Sequence, residues 1–78
     1  MENITVKIVN ETACLMLMQN DKMLDCLFIN KYFFDTLLPD EHMMIANVYK
    51  EAFNTTQSLV TAKEKTEYTI DQLQLITV

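Results

Sequence analysis

The side chains of this chain best suited to catalysis or metal binding are one histidine, two cysteines, six methionines and eleven carboxylates. His42 lies in Asp40-Glu41-His42. A histidine acting as general base or metal ligand needs convergent partners, and this one reads instead as an exposed residue in the first turn of a helix. Cys14 or Cys26 with His42 would in principle make a thiolate–imidazolium pair. Neither cysteine has a basic sequence neighbour to lower its pKa. Met16 and Met18, with Met23, Met43, Met44 and the two thiols, supply the soft donors that suit Cu(I). Methionine more commonly serves as adaptable packing at a core or a partner surface. Asp40 and Glu41 are consecutive and diverge on a helix, and Asp21 and Asp25 lie at and beyond a turn. Phosphate-cradling loops, nucleophile elbows and dinucleotide fingerprints need glycine where the backbone turns sharply or meets a ligand. The chain has no glycine and no arginine. The expectation is a protein that is not an enzyme, with no catalytic, cofactor or metal site.

Charge narrows the partners. Eleven acids against six bases give a net charge of -5 and a pI near 4.5, whereas nucleic-acid binders rely on cations that displace counterions from phosphates. Direct binding to nucleic acid or to an anionic membrane is not expected. A protein partner with a basic surface is, including the nucleic-acid channel of another protein. The longest uninterrupted apolar run, Ala13 to Met18, is far shorter than a membrane span. The first residues lack the basic and apolar regions of a secretory signal. Two cysteines without Cys-x-x-Cys spacing read as reduced thiols in a cytoplasmic protein. All six bases are lysines, and ordinary usage would put about five glycines in such a chain. An AT-rich genome produces this skew, as in many phage and mobile-element genes.

The elements that position these residues are legible in the hydropathy pattern. Ile4, Val6 and Ile8 alternate with Thr5 and Lys7, and the apolar runs Ala13 to Met18 and Met23 to Ile29 are separated by Asn20-Asp21. This predicts a three-stranded antiparallel meander with two-residue turns at Asn10-Glu11 and Asn20-Asp21. Those turns would set Leu17 against Leu24, Leu15 against Cys26 and Ala13 against Phe28, and Ile8 against Ala13, Val6 against Leu15 and Ile4 against Leu17. All nine would lie on one core face. The reverse face would hold Thr5, Lys7, Val9, Cys14, Met16, Met18, Met23, Asp25, Leu27 and Ile29, with Cys14 and Cys26 on opposite faces of the hairpin.

Asn30 fits a helix N-cap, and a short turn over Lys31 to Leu38 must stop before Pro39. A longer amphipathic helix is expected from about Asp40 to Glu64, with Met44, Ile45, Val48, Tyr49, Ala52, Phe53, Leu59 and Val60 on its apolar side. In Glu67 to Val78 the alternation of Tyr68 and Ile70 favours a terminal strand returning to the sheet. The whole is an α+β fold, one domain over residues 1–78, with Leu15, Leu17 and Val48 in the core.

The functional expectation is a small acidic binding protein acting through protein–protein interaction. Its type is that of a phage or mobile-element inhibitor of a host defence system or enzyme, such as anti-CRISPR or anti-restriction proteins. A homodimeric accessory subunit or antitoxin is the alternative within the binding class, and a small-ligand or soft-metal-binding module the alternative outside it. The binding residues expected are Met16, Met18, Met23, Asp25 and Leu27 on the reverse face, with Asp21, Asp40 and Glu41 steering the approach of a basic partner.

Overall fold

The computed structural model describes residues 3–77. Three antiparallel strands, β1 (Ile4–Val9), β2 (Cys14–Gln19) and β3 (Lys22–Phe28), form a sheet in the order β1-β2-β3. Three helices follow: α1 (Lys31–Thr36), α2 (Pro39–Thr56) and α3 (Leu59–Thr77). The α+β class and the meander are those read from the sequence.

Both hairpin registers differ from the expected ones. Between β1 and β2 the chain makes a 3-10 turn over Asn10–Thr12 and closes it with Ala13 in the left-handed region, at φ 52°. The longer turn shifts the pairing by two, to Val6 opposite Leu17 and Ile8 opposite Leu15. A shift of two keeps side-chain parity, so Ile4, Val6 and Ile8 still face inward with Leu15 and Leu17. The Asn20-Asp21 turn forms as expected, with Met18 opposite Met23, but a bulge next to Leu24 then moves the rest of β3 by one residue. Asp25 comes opposite Leu17, Cys26 opposite Met16, Leu27 opposite Leu15 and Phe28 opposite Cys14. A one-residue slip exchanges the two faces of a strand. Leu27 and Ile29 therefore enter the core, while Cys26 and Phe28 turn outward. The bulge is satisfied locally, since the Cys26 backbone N–H donates to Asp25 Oδ1 at 2.8 Å.

Asn30 caps α1, its Oδ1 accepting from the Phe33 N–H at 3.1 Å. Pro39 opens α2, and Glu41 reaches back to accept from the Leu38 N–H at 2.9 Å. The expected single helix from Asp40 to Glu64 is broken after Thr56. Gln57 takes a left-handed conformation, at φ 55°, and its N–H donates to Phe53 O at 2.7 Å. Ser58 then caps α3, its Oγ accepting from the Thr61 N–H at 3.2 Å. The result is a helical hairpin in which α3 packs along α2. Residues 67–77, expected as strand, continue α3, and the part of that expectation falling on Val78 lies outside the described residues. The buried side of α3 runs through Ala62, Thr66 and Ile70, with Leu59 and Leu73 packed against the core, which is helical spacing. The Thr66 hydroxyl is satisfied by donating to Ala62 O at 2.7 Å.

Among the described residues, positive φ falls on Ala13, Asn20 and Gln57, places that glycine usually fills. Gln57 is exposed and its side chain makes only long hydrogen bonds, of 3.3 and 3.4 Å. A non-glycine residue in this region costs about 1–2 kcal/mol, against roughly 0.5–1 kcal/mol for the extra freedom glycine gives the unfolded chain. Gln57→Gly should therefore stabilise the protein by up to about 1 kcal/mol, a melting-temperature rise of a few degrees. A fall in melting temperature would mean that the side chain contributes more than its geometry indicates.

Candidate protein-binding surface

The sheet has two unlike faces. Ile4, Leu15, Leu17, Leu27 and Ile29 face the helices and join Ile45, Tyr49, Ala52 and Phe53 of α2 in one core, with Val6 and Ile8 packed against it. On the reverse face the register builds three rows across the strands: Val9-Cys14-Phe28, Lys7-Met16-Cys26 and Thr5-Met18-Met23. Apart from Thr5 and Lys7 this grid is apolar. Cys14 is buried, at 5 % exposed, and the other members lie outside the core that the helices build. Phe28 is 68 % exposed and Met23 53 %, while Met16, Met18 and Cys26 are half-buried.

The residues expected to bind are distributed over several parts of the fold. Met16, Met18 and Met23 share the reverse face, and exposed Asp21 sits in the turn at its end. Leu27 does not, because the bulge turns it into the core, where it is 4 % exposed. Asp25 is likewise removed to the helix side. There it pairs with Lys63 of α3 at 3.4 Å besides accepting from Cys26. Phe28 and Cys26 take their places. Asp40 and Glu41 stand on α2, across the sheet from the methionines, and Glu41 is engaged with the Leu38 N–H. The slip that sequence pattern missed removes the carboxylate from the face, since it exchanges Asp25, Leu27 and Ile29 for Cys26 and Phe28.

The two cysteines, expected on opposite faces, are diagonal neighbours on this one. Both are free, and their thiols are within hydrogen-bonding reach. Burial raises the Cys14 pKa above its ordinary value, and the neighbouring Cys26 raises it further. His42, expected to be exposed, is partly buried. Its Nε2–H donates to Phe34 O at 2.8 Å, and its ring stacks on Phe34 with centroids 3.8 Å apart and planes within 7°. The imidazole thus ties α1 to α2. Among the described residues no group of three or more His, Cys, Asp or Glu side chains is placed to hold a metal ion, and no helix is long and apolar enough to cross a membrane.

Met44 and Val48, assigned to the core from the sequence, lie at its margin. With Asp40, Met43, Asn47 and Glu51 they line a shallow depression of about 490 Å³ on α2, and Met43 and Met44 are 54 % and 41 % exposed. Tyr49, expected beside Val48 on the apolar side of the helix, is fully enclosed, and its hydroxyl has no hydrogen-bond partner. Its pKa is raised strongly, by burial first and then by Asp25, Cys26 and Cys14.

Leaving a buried hydroxyl unpaired costs about 1–3 kcal/mol, so Tyr49→Phe should be neutral or stabilising in thermal melts at neutral pH. Its effect should grow in alkali. Above the usual phenol value near 10 the unfolded chain ionises Tyr49 while the folded chain keeps it protonated. The unfolded state then binds fewer protons, and stability falls by about 1.4 kcal/mol per pH unit. The phenylalanine variant lacks that contribution and should lose less stability between pH 9 and about 11. Equal losses in the two proteins would mean that the folded chain ionises Tyr49 as readily as the unfolded one, and so that the hydroxyl is not enclosed.

Comparison with known proteins gives no match to a protein family, to a curated protein or to a solved structure.

Proposed function

We propose that this chain is a non-catalytic binding protein that works by covering a surface on a larger protein with the reverse face of its sheet. The observation that carries this reading is the apolar grid of Val9, Met16, Met18, Met23, Cys26 and Phe28 around the buried Cys14, outside the core that the helices build. Large exposed apolar patches on water-soluble domains mark interaction sites. Phe28 supplies the aromatic anchor that such sites concentrate their energy in, and the methionines supply a surface that adapts to its partner.

The net charge of -5 favours a partner with a basic surface and speeds its approach. Small size, acidity and an apolar sheet face left bare suit an inhibitor of the kind phages and mobile elements direct against host defence systems or enzymes, the anti-CRISPR and anti-restriction proteins among them. The basic nucleic-acid channels of such targets are the surfaces that an acidic protein would occupy.

The reading is tested by affinity capture from bacterial lysate with the tagged protein beside its Met16→Lys/Phe28→Asp variant, each checked for fold by circular dichroism. The expected result is a target captured stoichiometrically by the parent and lost with the variant, and whose activity the purified parent inhibits. Capture of the same target by a folded variant would remove the reverse face from the function.

A further inference from the structure

We infer that the outer face of α2 is a second docking surface, separate from the sheet face, and that it takes a basic amphipathic helix of a partner protein. Its construction follows from helical spacing. Ile45, Tyr49, Ala52 and Phe53 bury one side of α2, and Asp40, Met44, Asn47 and Glu51, three or four residues apart, line up on the opposite side. Met43 and Val48 flank that line and complete the depression of about 490 Å³. Its floor is apolar and its two ends are acidic.

The charge arrangement selects the occupant. Asp40 and Glu51 are both exposed, and among the described residues neither is in an ion pair, in contrast to Asp25 and Asp35, which pair with Lys63 and Lys31. No cationic side chain lines the depression. The two carboxylates stand eleven positions apart, from 40 to 51, or about 16 Å along the axis at the 1.5 Å rise of a helix. A partner helix lying along the groove would meet them with lysines or arginines about three turns apart and set an apolar stripe between, onto Met43, Met44 and Val48. This is helix-in-groove recognition with methionine as the adaptable floor. An acidic or evenly polar segment would leave both carboxylates unpaired beside buried apolar surface.

The probe is a fluorescein-labelled, designed amphipathic helix of leucine and lysine, with lysines flanking the leucine stripe about three turns apart, read by fluorescence anisotropy. Its control has the same leucines and glutamate for lysine. We expect saturable one-to-one binding of the lysine peptide and none of the control. Asp40→Asn/Glu51→Gln should weaken binding about tenfold or more, and Met43→Ser/Met44→Ser should abolish it with the fold intact by circular dichroism. Glu64→Gln/Glu67→Gln, which removes the same charge from exposed positions of α3, should leave the affinity unchanged, as should Met16→Lys/Phe28→Asp on the sheet.

Equal weakening by the α3 pair would reduce the binding to net charge and overturn the assignment. Loss of peptide binding on the sheet variant with retention on the α2 variants would move the occupant to the reverse face, overturning this inference while leaving the sheet reading in place. A dimer in sedimentation that Met43→Ser/Met44→Ser dissolves would assign the face to a second copy of the chain, and would equally overturn it.

Discussion

Leu27→Ala should destabilise the protein by about 3–5 kcal/mol, and Phe28→Ala by less than about 1 kcal/mol, although phenylalanine is the larger side chain. Leu27 is buried between Leu15 and the helices, whereas Phe28 is 68 % exposed on the other face. A domain of this length has a total stability of about 4–12 kcal/mol. The leucine variant should therefore melt well over ten degrees lower or fail to fold, at about 4–8 °C per kcal/mol, while the phenylalanine variant melts close to the parent. The contrast depends on the bulge at Leu24. A sheet without it would bury Phe28 and expose Leu27, and the two effects would exchange.

The second large effect is on association. Met23→Lys/Phe28→Asp should weaken binding to a partner of the sheet face by about 100-fold or more, since truncating a central anchor alone costs about 2 kcal/mol or more. Burying the new charges without partners adds to that loss, and 1.4 kcal/mol is a factor of ten in affinity. Both side chains are more than half exposed in the free protein, so its melting temperature should change little. Titration calorimetry against the captured target measures the first quantity and scanning calorimetry the second. An affinity within a few-fold of the parent's would exclude Met23 and Phe28 from the interface.

How much of this was legible in the sequence depends on what each pattern encodes. Alternation at Ile4, Val6 and Ile8 encodes the inward face of β1, and it survives a longer turn because a shift of two preserves parity. Asn20-Asp21 encodes its turn directly. Nothing in the run from Met23 to Phe28 marks the bulge, because Leu24, Cys26 and Phe28 on one side and Leu27 on the other are all apolar enough to be buried. What decides is burial of Leu27 and Ile29 in the common core and a side-chain acceptor, Asp25, for the displaced Cys26 N–H. The break at Gln57 is carried by Ser58, a capping residue inside an amphipathic pattern that continued past it. The helix after it was obscured because its buried stripe includes Ala62 and Thr66, which carry little hydropathy, while Tyr68 and Leu75 are exposed.

The candidate surface was half legible for the same reason. Met16, Met18 and Met23 were placed on the bare face from β2 and the Asn20-Asp21 turn alone. Phe28 and Cys26 required the bulge, and the α2 depression required knowing that Tyr49, and not Val48, is the enclosed position.

The most direct test of the central claim is site-specific photo-crosslinking from the sheet face. A benzophenone amino acid in place of Phe28 should crosslink the protein to its target as a single adduct. The same group in place of Tyr68, exposed on α3, should give none. A Phe28 probe that yields no adduct under conditions where the target is captured, with an adduct formed from Tyr68 instead, would contradict the assignment of the reverse face as the binding surface.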